Sequence, residues 1–462
     1  MPQAQTRRSD AVRNRARILD AAGRLLQQSP AATIADIAAA AGVSRSTVHR
    51  HFADRDRLVA ALAARARAPS PGEALDPLPP GHLGRERSVV LDAIHVFDVV
   101  PPALLPEQLV AEAQRLAGVP VALYVLDIDG THLLRVAGPQ RLPDQIESPL
   151  AVGPELDADG LSDLRRYLSR HPGSQIFPLW LRGRAIGVMI AFGPPLRSLL
   201  EMARQAAAAV TLADRYTDAF AQAQRRKQPK AAAEIQQSLL PPRISRITGG
   251  EVAGNILPSY EVAGDWFDVV ENADGVWITL GDGLGASTPA AASSAVALGA
   301  LRASRRSGAD IKEALVVMHQ TLREMPAPRA EMTAVVARWD SSTSKLRVAS
   351  CGHVAPVILR AGGDVERLRF PKGRGLGGRA SPRPVERTST LEPGDRLLLV
   401  SDGVVKSGEG QAGLGITGLI AAALRSERQT AADTVRQVHT AVLGASGGEL
   451  QDDATAVCLS VG

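Results

Sequence analysis

Residues 391–405 read LEPGDRLLLVSDGVV. A Pro-Gly-Asp turn feeds an apolar run, and the run delivers Asp402-Gly403 at its end. A short apolar run bounded by turn residues is the pattern of a buried strand. Asp402 is therefore expected at a sheet rim. The construction recurs. ITLGDGLGAS (278–287) puts Asp282 at a strand end inside a Gly-rich turn, and VAGDWFD (262–268) brings Asp265 and Asp268 together. LQDDATAVCLSV (450–461) sets Asp452 and Asp453 before a final strand. Carboxylates gathered at one rim make an acidic pocket, which is costly unless cations neutralise it. All-oxygen donors select hard cations such as Mg²⁺ or Mn²⁺. The chain has only two cysteines, Cys351 and Cys458, too few for a disulfide framework or a Cys-based zinc site.

Around these turns, strands are expected at 251–257, 266–271, 275–281, 332–340, 345–350, 354–360, 395–401 and 454–461. Helices are expected at 288–305, 309–324, 413–425 and 430–443. Short turns join most of the strands, which favours antiparallel sheets with helices packed outside. The ordered series Gly264-Asp265 with Asp268, Gly281-Asp282-Gly283 with Gly285, Thr333-Ala334, Gly352-His353 with Pro356, Pro393-Gly394-Asp395, Ser401-Asp402-Gly403 and Asp452-Asp453-Ala454-Thr455 resembles the metal-dependent serine/threonine phosphatases of the PPM family. The resemblance is nearer to their bacterial SpoIIE/RsbU branch.

That resemblance implies an αββα sandwich and hydrolysis assisted by two divalent cations, Mn²⁺ or Mg²⁺. Asp282, Asp402 and Asp452 would be the catalytic carboxylates. Asp282 would bridge both cations with help from the Gly283 carbonyl, and Asp402 and Asp452 would complete one shell. Asp453 is a further metal candidate. Either Asp265 or Asp268 would hold the other side, with Asp265 preferred. Water would attack phosphorus in line. Many eukaryotic relatives carry His where Leu284 stands, so this chain lacks that acid. His353 reads as a turn residue, Asp395 as a turn former and Arg374 as an exposed loop cation that could touch phosphate.

Upstream, AEIQQSLLPP (233–242) resembles the helix that leads into this branch's phosphatase domain. VALYVLDIDGTHLLRVAG (121–138) and FPLWLRGRAIGVMIAFG (177–193) read as hairpins turning at Asp129-Gly130 and Arg182-Gly183. Helices are expected at 87–99 and 106–117, and a long Ala-rich one at 195–224. This order, with PLWLRGRAIGVMIAFG, resembles a GAF sensor domain, whose ligand is not readable. Asp127, His132 and His171 are its notable polar residues, each expected to be an ordinary loop or surface group.

Residues 1–70 hold 12 Arg and 5 Asp with no Lys or Glu, a net +7 against +5 for all 462 residues, so the remainder carries −2. A nucleic-acid partner is therefore expected at that end. The segment IADIAAAAGVSRSTVHRHFADRDRLVAAL (34–62) resembles the helix-turn-helix of TetR-type regulators. Its recognition helix would present Arg45, Ser46, Thr47, His49 and Arg50 to DNA.

The expected organisation is multidomain, with an all-α helix-turn-helix, an α+β GAF-like domain and an α+β phosphatase joined by helical linkers. The boundaries read 1–67 for the helix-turn-helix, 68–87 for a Pro/Gly-rich linker and 88–194 for the GAF-like sensor. A helical linker and possible dimer or switch element follows at 195–243, then the phosphatase at 244–462. The expected partner is a phosphorylated STAS-type protein, with DNA and a second copy of the chain as others. The alternative is a DNA-binding regulator whose phosphatase fold only binds. Charges fill the N-terminus where a signal peptide needs an apolar core, and no apolar run reaches membrane-spanning length, so a cytoplasmic protein with no membrane partner is expected.

Overall fold

The structure is a computed structural model that describes residues 100–462 except 170–172, 227, 229, 258–263, 286, 326–329, 372, 409–412 and 449. It also describes residues 18, 21, 22, 25, 33–45, 47, 48, 52 and 58. The chain divides into two compact units, Met1–Leu83 and Gly84–Gly462.

In the first unit, α1 (Ile34–Ala41) opens with a reciprocal cap. The Thr33 N–H donates to Asp36 Oδ2 (2.8 Å), and the Asp36 N–H donates to Thr33 Oγ1 (3.3 Å). Gly42 ends the helix at φ 62°, a left-handed turn that favours glycine. Ser44 Oγ then accepts the Thr47 N–H at 3.2 Å, which starts the next helical turn. Ile18, Ala22, Ile37, Val48, Phe52 and Leu58 form one buried cluster.

The second unit begins with α2 (Leu105–Ala117), β1 (Val121–Leu126), β2 (His132–Ala137), β3 (Gln145–Glu147), α3 (Ala158–Leu168), β4 (Ser174–Leu181) and β5 (Arg184–Phe192). The strands form one antiparallel sheet in the order β3-β2-β1-β5-β4. Strand alternation divides its side chains. Val121, Leu123 and Val125 face α2 and α4 (Leu200–Ala213), while Ala122, Tyr124 and Leu126 face α3. Arg182 (φ 49°) and Gly183 (φ 90°) both turn left-handed, which closes the β4–β5 hairpin tightly. The expected helix at 87–99 lies outside the described residues. The single helix expected at 195–224 is instead two, α4 and α5 (Ala219–Ala223). Between them Thr217 Oγ1 accepts the Ala219 N–H, and Phe220 turns back into the α2/α4 core. Thr and Asp at 217–218 favour a fresh helix start over continuation.

After α6 (Ala231–Leu239) come β6 (Ile244–Ile247), β7 (Gly250–Leu257), β8 (Asp265–Asn272), β9 (Gly275–Gly283), α7 (Ser287–Arg306) and α8 (Ile311–Glu324). Then follow β10 (Met332–Asp340), β11 (Lys345–Cys351), β12 (Val357–Leu359), β13 (Val365–Arg367), β14 (Val385–Thr390) and β15 (Arg396–Val400). The last elements are α9 (Asp402–Lys406), α10 (Gly415–Leu424), α11 (Ala431–Ser446) and β16 (Ala454–Val461). Two sheets result, β14-β11-β10-β9-β8 and β13-β12-β15-β16-β7-β6. Along β10, Val335, Ala337 and Trp339 point between the sheets. Ala334 and Val336 point to α7 and α8. On the other sheet Leu398, Ala456 and Cys458 pack under α10 and α11. Four layers, helix–sheet–sheet–helix, bury both faces of most strands, which explains their continuous apolar runs.

The two parts of this unit are joined by charge as well as chain. Arg436 on α11 pairs with Asp157 at 2.7 Å, and Arg428 pairs with Asp163 at 2.8 Å. Glu155 accepts the Ile244 N–H at 2.9 Å. Val152 packs into the core beneath α10 and α11.

Candidate active site

The acidic turns meet at one end of the sandwich. Asp265, at the start of β8, stands directly opposite Asp282 on β9. Thr333 on β10 flanks Asp282 on its other side. From the second sheet come Asp402, where β15 passes into α9, and Asp452-Asp453 before β16. Ser401 ties these two segments together. Its N–H donates to the Thr455 carbonyl (3.0 Å), its hydroxyl donates to the Asp453 carbonyl (3.2 Å), and its oxygen accepts the Thr455 N–H (3.0 Å). Gly403 is required here: a Cβ would lie 2.1 Å from the Asp453 carbonyl oxygen. A Cβ at Gly264 would lie 2.3 Å from the Gly283 carbonyl oxygen, so the approach to Asp265 is equally tight.

Crowding sets the electrostatics. Burial, then Asp402 and Asp452, push the Asp282 carboxyl up to about 7, with Lys406 pulling the other way. Asp265 is raised well above the ordinary carboxylate range by burial, Asp282 and Asp453. Asp452 is raised as well, first by burial. Lys406 Nζ donates to Asp402 Oδ2 at 2.5 Å from one turn along α9. Hard oxygen donors that disfavour their own ionisation suit divalent cations. Among the described residues no group of three or more His, Cys, Asp or Glu side chains is arranged to hold a metal ion.

The structure separates two residues that the sequence left as alternatives. Asp265 faces the cluster, where Thr455 Oγ1 donates to its carboxylate. Asp268 does not join it. Three residues further along a strand, it lies on the opposite face, against α7. There Arg302 Nη2 (2.9 Å) and Arg305 Nη1 (2.7 Å) hold both its oxygens. Asp268 as a metal candidate is thus corrected: its charge is already neutralised by arginines on the helix side. Asp453 is buried and accepts from Gln236 Nε2 at 2.6 Å, whereas Asp452 is half-buried and accepts the Asp453 N–H at 2.9 Å.

Gln236 escaped the sequence reading. It sits on α6, ahead of the sandwich, and is 1% exposed. Its amide also donates to the Asp265 carbonyl at 2.9 Å, so one side chain of the connector grips two acidic segments. Its only sequence signal is a Gln pair inside an apolar helix. Lys406 escaped as well, although its spacing of four from Asp402 on a helix was readable.

His353 Nδ1 meets Thr333 Oγ1 at 2.8 Å. Burial pushes the ring down to about 4 despite Asp402. It is therefore neutral near pH 7. Asp395 accepts the Ala361 and Glu392 N–H groups and Arg360, as a turn former should. In the middle domain Asp127 accepts the Thr131 and His132 N–H groups and pairs with Arg226 at 3.3 Å. His171 lies outside the described residues. Of the helix-turn-helix candidates, Arg45 is exposed and Thr47 half-exposed, while Ser46, His49 and Arg50 lie outside the described residues.

Comparisons agree with both ends of this picture. Residues 272–462 match the family described as Stage II sporulation protein E (SpoIIE), and residues 18–62 match the bacterial regulatory proteins of the tetR family. Over 51 residues the chain is 57% identical to the HTH-type transcriptional repressor LfrR of Mycolicibacterium smegmatis, covering 11% of this chain and 27% of that protein. The SiaA-PP2C domain of Pseudomonas aeruginosa is similar at 21% identity, covering 50% of this chain and 94% of that one, with a TM-score of 0.43. The RsbU and RsbW domains of a Mycobacterium tuberculosis protein are similar at 21% identity, covering 46% and 61%, with a TM-score of 0.41. The phosphatase domain and regulatory fragment of SpoIIE from Bacillus subtilis is similar at 17% identity, covering 46% and 63%, with a TM-score of 0.39. Residues 18–62 thus match the TetR-type helix-turn-helix and residues 272–462 the SpoIIE family.

Proposed function

We propose that the C-terminal domain hydrolyses phosphoserine or phosphothreonine in a protein substrate with two Mn²⁺ or Mg²⁺ ions. The observation that carries this reading is the meeting of Asp265, Asp282, Asp402 and Asp452 from four separate segments, with Asp282 raised to about 7. Asp282, with the Gly283 carbonyl, would serve both cations. Asp402 and Asp452 would serve one and Asp265 the other, with Asp453 held behind them by Gln236. When bound, the cations supply charge neutralisation and an activated water for in-line displacement at phosphorus. The chain's own task is to aim carboxylates. Neutral His353 positions the Thr333 strand and does not donate a proton. Cys351 and Cys458 are buried with thiols pushed up to about 12, which argues against a thiolate nucleophile.

The substrate proposed is a phosphorylated STAS-type protein of a partner-switching system. The five-stranded middle domain is read as a GAF-like sensor with an unidentified ligand. It is also read, with the helices that follow it, as a homodimer contact. The grip of Gln236 on the acidic segments supports a connector that sets cation occupancy. Among the described residues no helix is long and apolar enough to cross a membrane.

The test is phosphate release from a phosphoserine protein with Mn²⁺. Asp282→Asn and Asp402→Asn should abolish it, and no metal-dependent turnover on any phosphoprotein would remove the reading. The identity to a repressor over 51 residues favours a second activity, DNA binding through Arg45, Ser46, Thr47, His49 and Arg50. Arg45→Ala with Arg50→Ala should cut salt-dependent binding to one operator. Equal binding to every sequence would leave only a basic tether.

A further inference from the structure

A groove of about 690 Å³ opens beside the acidic cluster. Its lining includes Ser350, Phe370, Arg374, Pro382, Arg383 and Val385. Three observations point to an occupant. The first is charge. Among the described residues, no carboxylate pairs with Arg374 or Arg383, nor with Arg379 between them, and all three are exposed. The nearby Glu386 is already taken by Arg347 at 2.6 Å. The second lies at the floor. Ser350 is 7% exposed, and its hydroxyl has no hydrogen-bond partner among the described residues. A buried hydroxyl left in this way costs stability unless something else meets it. The apolar walls, Phe370, Pro382 and Val385, suit the backbone and stems of a peptide.

The third is position. Ser350 pairs with Val335 on β10, and Val335 pairs with Leu280 on β9, two residues before Asp282. Two strand spacings across and two residues along give about 12 Å from the groove floor to Asp282. Extended peptide advances about 3.3 Å per residue, so three to four residues span that gap. At the rim, the groove loop pairs Leu376 with Met332, itself opposite Gly283. Groove and cluster therefore share one sheet end.

We propose that this groove docks an acidic stretch of the phosphoprotein substrate, with carboxylates three to four residues from the phosphoserine facing Arg374 and Arg383. The opposed charges also fit. The acidic cluster repels an acidic peptide on its own, so a basic groove one short span away restores the attraction and fixes direction. This inference rests on the phosphatase reading for its substrate class but not for its binding surface.

The test uses the full chain and fluorescein-labelled phosphoserine peptides. One bears Glu three and four residues from the phosphoserine on both sides, and the other bears Ala there. With Mn²⁺, anisotropy should show the Glu peptide binding at least tenfold more tightly, with the advantage shrinking as salt rises. Arg374→Glu with Arg383→Glu should bring that ratio to about one. The milder Arg374→Gln with Arg383→Gln should lower it several-fold. Buried-tryptophan fluorescence melts check folding, and the milder pair decides if the reversal pair fails to fold. The kcat/KM ratio of the two peptides should follow the binding ratio. Equal binding of both peptides, or a ratio unmoved by the folded variants, would overturn the proposal. So would a DNA oligonucleotide binding the groove where the Glu peptide does not. If the Glu peptide binds through Arg374 and Arg383 but no peptide is hydrolysed, the groove stands and the catalytic reading falls.

Discussion

Asp282→Asn should stabilise the cation-free protein, and more so as pH rises. The Asp282 carboxyl moves from an ordinary 3.8 to about 7 on folding. Below 3.8 it is protonated in both states. Between 3.8 and 7 the unfolded chain has lost the proton while the folded chain keeps it, so stability falls as pH rises. Above 7 the loss is complete. At 1.36 kcal/mol for each pH unit, the full loss is about 4 kcal/mol, of which roughly 1.6 has accrued by pH 5. The figure belongs to the cluster, because Asp402 and Asp452 share the same repulsion. Asn has no charge to repel. Its stability advantage over the parent should therefore widen by roughly 2–3 kcal/mol from pH 5 to pH 8. Urea unfolding in chelator measures this. Three of the four tryptophans, Trp266, Trp277 and Trp339, are buried in the sandwich, so most of the intrinsic fluorescence follows the relevant domain. With Mn²⁺ the ordering should reverse, because the parent gains binding energy that the variant loses. A gap that is the same at pH 5 and pH 8 would refute the reasoning, as would a less stable variant at pH 8 in chelator.

Three further outcomes are expected. Gln236→Leu leaves the buried Asp453 carboxylate short of a donor and should cost about 1–3 kcal/mol in the same assay; adding Asp453→Asn should recover much of it. Asp157→Ala leaves the buried Arg436 with only the longer pairing to Asp433 at 3.6 Å and should cost about 1–3 kcal/mol. A Met at position 436 in the same chain should restore part of that, and a cost below about 0.5 kcal/mol would deny the pair a structural role. Lys406→Met removes the ammonium held 2.5 Å from Asp402 and should tighten Mn²⁺ binding several-fold by calorimetry; unchanged or weaker affinity would show that the lysine does not compete for the site.

The acidic turns were legible because their signal is local. A buried strand ends, a small residue follows, and an aspartate sits between them, as at Gly281-Asp282-Gly283 and Ser401-Asp402-Gly403. The hairpins at 129–130 and 182–183 were legible for the same reason. What could not be read depended on distant partners. The choice between Asp265 and Asp268 turned on which strand face met Arg302 and Arg305 of α7. Gln236 meets Asp453 across 217 residues of chain, and Arg436 meets Asp157 across 279. The edge strand β14, VERTST, carries no apolar alternation because much of it faces solvent, so it is not among the expected strands. The break between α4 and α5 was hidden by an Ala-rich composition that favours helix throughout.

The central claim is cation-dependent phosphate removal by the carboxylates at one sheet end. The most direct measurement is inorganic phosphate released from a phosphoserine STAS-type protein, with and without Mn²⁺, for the parent chain, Asp282→Asn and Asp402→Asn. Turnover by the parent only when Mn²⁺ is present, lost in both folded variants, is the predicted result. Equal turnover in chelator, or variants as active as the parent, would contradict it.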